Sequence, residues 1–349
     1  METRLLKIEY PIDTEALADA AAILKNGGLV VFPTETVYGI GADATSADAA
    51  RAIYAAKGRP SDNPLIIHIA NPEDAEPYAE TNDTYYQLAK RFMPGPLTVI
   101  LKRKPTIPLT VTGGLETVAV RCPAHPVARA LIAAAGVPLA APSANRSGRP
   151  SPTLASHVIE DLWGRVDMII DGGAAEVGLE STIVALDGAR GTLLRPGAIT
   201  PEQLSEIIPD LTIAPAVLEA LGENERPLSP GMKYKHYAPK TALTLLEGSE
   251  DEVRCFLNNL STTAGVGILC FDEEIPFMPK DATLFPVGNR DDIEMQAHRF
   301  FAALRDADTT DGLTCLYAHL PPRKGLGLAL YNRAIRAAAH TVIDLRKEV

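Results

Sequence analysis

Cysteine is scarce in this 349-residue chain. The four present, Cys122, Cys255, Cys270 and Cys315, lie far apart and form no Cys-x-x-Cys pair. A zinc ribbon and a disulfide framework are therefore not expected, and reduced thiols in the cytoplasm are. No run reaches the roughly 18 apolar residues of a membrane span. The opening Met1–Lys7 also lacks the apolar stretch of a signal peptide. Basic residues are too few for a broad nucleic-acid surface: 33 Lys and Arg stand against 44 Asp and Glu, a formal net charge of −11. That balance still permits a small basic cleft. Walker A, Gly-x-Ser-x-Gly and His-Glu-x-x-His signatures are all missing, and the seven histidines are scattered, so no metal site is expected. Gly325-Leu326-Gly327 runs into Leu328-Ala329-Leu330. A dinucleotide fingerprint fails there at its third glycine, and the stretch reads as a helix start.

What the chain does have is apolar residues, 46% of its length, enough for substantial cores, and a length that suggests two domains. Through residue 208, helical spacings alternate with short apolar strands, several following one another closely. The expected fold is α/β, with a twisted mixed sheet and helices. Residues 209–240 read as a connector rich in proline and charge, with Ser229-Pro230-Gly231 and His236-Tyr237-Ala238-Pro239 inside it. Residues 241–349 alternate strand and helix again, predicting a smaller Rossmann-like parallel α/β domain.

The densest chemistry is Lys57-Gly58-Arg59-Pro60-Ser61-Asp62-Asn63-Pro64. It lies between an alanine-rich helix, with Ser46 as N-cap and Gly58 as stop, and the apolar strand 65–69. Two cations flank a glycine, between prolines that restrict the backbone, an arrangement suited to a polyanion. The same cations would also complement a helix C-terminus. Other polar residues fall at strand ends or in the adjoining loops: Thr34, Tyr38, His68, Arg121, Ser143, Asn145, Ser181, Thr182 and Arg195. Strand-end loops of α/β sheets converge on one crevice. Three arginines and a lysine there would hold a polyphosphate and a carboxylate together. His68, within an apolar strand, also suits a core position.

Lys57-Gly58-Arg59 followed by Ser143-Ala144-Asn145 resembles the Lys-x-Arg…Ser-x-Asn signature of the YrdC family. Collinear with it are Pro33-Thr34-Glu35-Thr36-Val37-Tyr38-Gly39, Asn63-Pro64-Leu65, Pro94-Gly95-Pro96-Leu97-Thr98, Val120-Arg121-Cys122-Pro123, Ser181-Thr182-Ile183-Val184 and Arg195-Pro196-Gly197. The likeness covers roughly residues 12–208. The connector and last third extend it, more loosely, to the long two-domain L-threonylcarbamoyladenylate synthases of that family.

The resemblance implies a nucleotidyltransferase: L-threonine, bicarbonate or CO2, and ATP would give L-threonylcarbamoyl-AMP and pyrophosphate. A downstream transferase would then place the threonylcarbamoyl group on tRNA beside the anticodon. It implies Lys57 and Arg59 as the catalytic clamp on the triphosphate, and Asn63, Thr117, Ser143, Asn145, Ser151 and Arg195 as further ATP contacts. Thr34, Tyr38, His68, Arg121 and Ser181 would hold threonine, with Arg121 on its carboxylate; Thr34 and Ser181 could equally make turn or strand-end hydrogen bonds. Magnesium would arrive with ATP, held with few protein ligands. Tyr234, His236 and Tyr237 are read as a lid over the crevice, the alternative being that the connector docks the second domain. Direct tRNA contact is compatible with this function but not required. The competing reading is a non-enzymatic RNA-binding module of YrdC-type fold, against which the negative charge weighs.

Overall fold

The computed structural model describes residues 2–8, 12, 15–219, 229 and 237–347, and these form two compact units. The first contains β1 (Arg4–Lys7), α1 (Ala18–Lys25), β2 (Val30–Phe32), β3 (Gly39–Asp43), α2 (Ala47–Lys57), β4 (Ile66–His68), α3 (Asp83–Phe92), β5 (Leu97–Lys102) and β6 (Thr117–Arg121). It continues with α4 (Pro126–Ala135), β7 (Leu139–Ala140), α5 (Ala155–Leu162), β8 (Met168–Asp171), β9 (Thr182–Asp187), β10 (Arg190–Arg195), α6 (Pro201–Ser205) and β11 (Leu211–Ile213).

All eleven strands join one sheet, in the order β1-β8-β2-β3-β7-β4-β6-β5-β9-β10-β11. The sheet is mixed, as the close spacing of strands predicts: β4 pairs parallel with β6 while β5 pairs antiparallel with it. The helices around it are locally specified. Ser46 caps α2 by accepting from the Ala49 N–H at 3.2 Å. At the other end Gly58 adopts φ +61°, and the Gly58 and Arg59 N–H groups donate back to Ala55 O and Tyr54 O, a Schellman closure. That closure fixes where the Lys57 and Arg59 side chains begin.

Core residues occupy both faces. One face packs α2, α3 and α5 residues such as Ile53, Leu88 and Val158 against Ile67, Val99 and Val120. The other packs α1 and α4 residues, including Leu24 and Leu131, on Val30, Phe32 and Ile170. Over the β4-to-β10 half of the sheet a third cluster, Ile66, Ile100, Ala119, Ile183 and Leu194, comes from strands alone. No described helix contributes to it, and the candidate site lies beside it.

Residues Leu211–Ile213, assigned from sequence to the connector, pair parallel with β10 as an edge strand. Three hydrophobic-to-polar residues before a proline are too short to show a strand periodicity.

The second unit contains β12 (Leu243–Glu247), α7 (Glu250–Asn258), β13 (Val266–Cys270), β14 (Thr283–Pro286), α8 (Ile293–Thr309), β15 (Cys315–His319), α9 (Gly325–Ala337) and β16 (Val342–Asp344). Its five strands are all parallel, in the order β14-β13-β15-β12-β16. The short strand β16 had no sequence signal of its own. Residues 148–150 group with this unit too: Gly148 O accepts from the Ala238 N–H and Pro150 O from Arg305 Nη2.

Candidate active site

Strand register builds the centre of the site. His68 on β4 is the partner of Arg121 on β6, Arg121 of Thr98 on β5, Thr98 of Ile183 on β9, and Ile183 of Arg195 on β10. Registered neighbours direct their side chains to one face. Four polar side chains thus stand in a row across five strands, with Ile66, Ala119 and Ile100 of the apolar strand cluster two residues from His68, Arg121 and Thr98, and Ile183 within the row itself. The row is knit by side chains as well. Thr98 Oγ1 and Ser181 Oγ lie 2.7 Å apart, and Ser181 accepts from Arg195 through both its carbonyl (Nε, 3.0 Å) and its hydroxyl (Nη2, 3.1 Å).

His68 is fully enclosed, with Phe32 edge-on to its ring and its Nδ1 3.2 Å from Ile66 O. Burial, reinforced by the Arg121 charge, pushes its pKa down to about 3. It stands as a neutral imidazole beside a guanidinium.

The loop between β2 and β3 is the second component. The sequence suggests a polar loop; the structure buries every residue from Pro33 to Tyr38. The Thr34 hydroxyl donates to Val37 O at 2.6 Å and accepts from the Thr36 N–H, so it closes a turn. The Tyr38 hydroxyl donates to Gly173 O at 2.6 Å. Both hydroxyls expected to meet threonine therefore serve local structure here. Glu35, which sequence reasoning gave no role, forms an ion pair with Arg121 at 2.7 Å.

The third component surrounds Lys57, a nearly inaccessible lysine. Its Nζ donates to Ser143 O, to Asn145 O at 2.6 Å and, more weakly, to Asn145 Oδ1 at 3.4 Å. Ser143 Oγ donates to the same Asn145 Oδ1, and the Ser147 N–H closes onto Lys57 O. The Lys-x-Arg and Ser-x-Asn motifs, about ninety positions apart in sequence, are one hydrogen-bonded cluster. An ammonium has three donors, and here they hold the Ser143–Asn145 loop rather than project outward. Arg59 Nη2 likewise donates to Asn63 O and Pro64 O, bracing the turn after α2. Asn63 is buried, and its side-chain Oδ1 has no partner.

Ser151 Oγ donates to Glu180 Oε1 at 2.5 Å, placing a second carboxylate beside Ser181. Thr117 is exposed at the opposite end of β6. It shares the face of Arg121 but stands about 13 Å away by strand rise. Tyr234 and His236 lie outside the described residues. Tyr237 is described: its ring is buried within the second unit, 5.2 Å from Phe301 and with Arg333 over it, and its φ is +64°.

Sequence reasoning missed Glu35, Thr98 and Glu180. Each lies inside or next to a sequence motif, but its partner comes from a distant segment. The one available signal was a carboxylate in an otherwise uncharged run, Val30 to Gly41.

The chemistry available is anion binding. Lys57, Arg59, Arg121 and Arg195 stand with the buried carboxylates Glu35 and Glu180, and a third, Asp161, accepts from the Arg146 N–H beside the Lys57 cluster. Among the described residues no three His, Cys, Asp or Glu side chains group as a metal site.

A family model described as "Telomere recombination", the Sua5/YciO/YrdC model, matches residues 22–197. A second, "Threonylcarbamoyl-AMP synthase, C-terminal domain", matches residues 199–339. The chain is 43% identical over 351 residues to the threonylcarbamoyl-AMP synthase of Pyrococcus abyssi, covering 98% of this chain and 100% of that one. It is 44% identical over 341 residues to the Bacillus subtilis enzyme of the same name, covering 96% of each. The crystal structure of P. abyssi Sua5 complexed with L-threonine superimposes with a TM-score of 0.89 at 41% identity, over 99% of both chains. With both family models matching in order and the likeness running nearly end to end, the chain belongs to the Sua5/YrdC family of threonylcarbamoyl-AMP synthases, in its two-domain form.

Proposed function

We propose that this enzyme is a nucleotidyltransferase that converts L-threonine, bicarbonate or CO2, and ATP into L-threonylcarbamoyl-AMP and pyrophosphate. The observation that carries the reading is the single row His68–Arg121–Thr98–Arg195, with the Lys57 cluster as a further part of the site. Threonine's amine, once neutral, takes up CO2 to give a carbamate. A carbamate oxygen then attacks the α-phosphorus of ATP and pyrophosphate leaves in line. The nucleophile is already an anion, so the protein needs no serine–histidine pair to activate it. Alignment and charge neutralisation are what it must supply.

The residues divide accordingly. Arg121, whose planar donors match a carboxylate, takes that of threonine. His68 stays neutral throughout the working pH range, so it offers a hydrogen bond without a competing charge. Ser181, held by Thr98 and Arg195, marks the boundary between amino acid and nucleotide. Lys57 keeps Ser143 and Asn145 in place and contributes its charge there, while Arg59, Asn63, Arg195, Ser151 and Thr117 serve the nucleotide. Magnesium would enter as the ion of the ATP complex, held by the phosphates with few protein ligands. The product, a mixed anhydride, suits a transferase acting on tRNA in the cytoplasm. No described helix is long and apolar enough to cross a membrane.

Pyrophosphate release tests this. It should require both threonine and bicarbonate, and fall at least a hundredfold in Arg121→Ala and in Lys57→Ala. Release independent of threonine in folded protein would defeat the reading; salt-dependent RNA binding without turnover would favour the binding-module alternative.

A further inference from the structure

Arg121 is not presented to the site as a whole guanidinium. Its Nη2 donates to Glu35 Oε1 at 2.7 Å, and both side chains are about 95% removed from solvent, with 5% and 6% exposed. The second oxygen of Glu35 accepts from the Ala124 N–H at 3.1 Å. The Glu35 backbone is also held, its carbonyl accepting from the Val177 N–H at 2.8 Å. Both carboxylate oxygens and the backbone carbonyl of Glu35 are therefore held by protein groups. Against this, Arg121 Nε is buried and has no hydrogen-bond partner among the described residues. A buried unpaired donor is disfavoured unless something binds it. This one is adjacent to the Nη2–Glu35 hydrogen bond.

We propose that Glu35 is the positioning residue of the threonine subsite: it fixes the plane of Arg121 and leaves the Nε–H as the donor that meets the amino-acid carboxylate. The inference rests on the reading that Arg121 binds that carboxylate. Two physical consequences follow from the geometry. With threonine absent, Glu35 is the counterion that offsets the buried guanidinium charge. With threonine present, the orientation of the guanidinium is already set, so little freedom is lost in forming the contact. The loop Pro33–Tyr38 thus has a function its hydroxyls do not reveal, which is to carry one carboxylate to the end of β6. The Thr34 turn and the Val177 hydrogen bond keep it there.

Calorimetric titration of the full chain with L-threonine, L-threoninamide and ATP tests the assignment. The amide lacks the carboxylate and so makes no charged contact with Arg121. Glu35→Ala should weaken L-threonine at least tenfold while changing L-threoninamide and ATP less than twofold. Glu35→Gln, which retains an acceptor for Nη2, should fall between wild type and Glu35→Ala. On an Arg121→Met background, Glu35→Ala should cause no further loss, because the two act as a unit. If Glu35→Ala does not fold, Glu35→Gln is titrated alone, and threonine affinity equal to wild type overturns the proposal. Equal loss for threonine, its amide and ATP would mean a purely structural role and also overturn it. If Arg121→Met itself leaves threonine affinity intact, the reading beneath the proposal fails instead. If Arg121→Met weakens threonine and Glu35→Ala does not, only the role of Glu35 fails.

Discussion

His68 shows how much a single side chain in this site depends on what encloses it. In an unfolded chain its imidazole titrates near 6.5; in the fold, burial first and the Arg121 charge second lower this to about 3. Below pH 6.5 the unfolded state therefore takes up a proton that the folded state refuses. Stability falls as pH drops from 6.5 towards 3 and is unaffected above that window, by about 1.4 kcal/mol per unit. In urea unfolding, wild type should lose about 2 kcal/mol more than His68→Asn between roughly pH 7.5 and pH 5. Histidines elsewhere contribute to both proteins and cancel in the difference. Parallel pH curves for the two would show that His68 protonates in place. At this scale the sequence was informative about residue types and silent about states. A histidine in an apolar strand was legible as either core or ligand; the structure encloses it against Phe32 and registers it beside Arg121.

Elements were the most legible level where their signals were local. Both ends of α2 were readable because the cap and the stop act on neighbouring peptide groups. The same locality makes Gly58 a sharp test. A β-carbon added there would meet nothing within 4 Å, so the cost of Gly58→Ala is the left-handed φ of +61° alone. That strain is about 1–2 kcal/mol. Relief would unwind the Schellman turn and shift Lys57 and Arg59 together. The variant should lose that stability in thermal or denaturant unfolding, and its KM for ATP should rise severalfold with KM for threonine nearly unchanged. A stability loss with both KM values intact would separate the turn from the nucleotide site. The order of the eleven strands, by contrast, was not readable. Pairing is set by contacts between distant segments, and β11 and β16, three residues each, are too brief for a period-2 pattern. The row from His68 to Arg195 is a product of that order, which is why His68, Arg121 and Arg195 were legible singly and not as a row.

At the scale of the whole molecule, the role of the second unit turns on two short segments that it holds. Tyr237, near the end of the connector, is buried on Phe301 beneath Arg333. Gly148 and Pro150 are bound through Ala238 and Arg305. Gly148 comes only three positions after Asn145, so the chain that leaves the Lys57 cluster is restrained almost at once. Arg305 is nearly inaccessible, and its Nη2 lies 2.6 Å from Pro150 O. Loss of a buried, charge-assisted hydrogen bond of this kind costs about 1.5–3 kcal/mol. Arg305→Met keeps much of the apolar stem and removes the donor. It should destabilise the second unit by that amount and, through the slackened 146–150 segment, raise KM for ATP more than KM for threonine. The nucleotide side should respond if Ser143 and Asn145 serve it as proposed, whereas Arg121 is held by Glu35 on a different loop. Wild-type kinetics in a measurably destabilised Arg305→Met protein would show that the Ser143–Ser147 loop is held by Lys57 alone, and would confine the second unit's influence to its own stability.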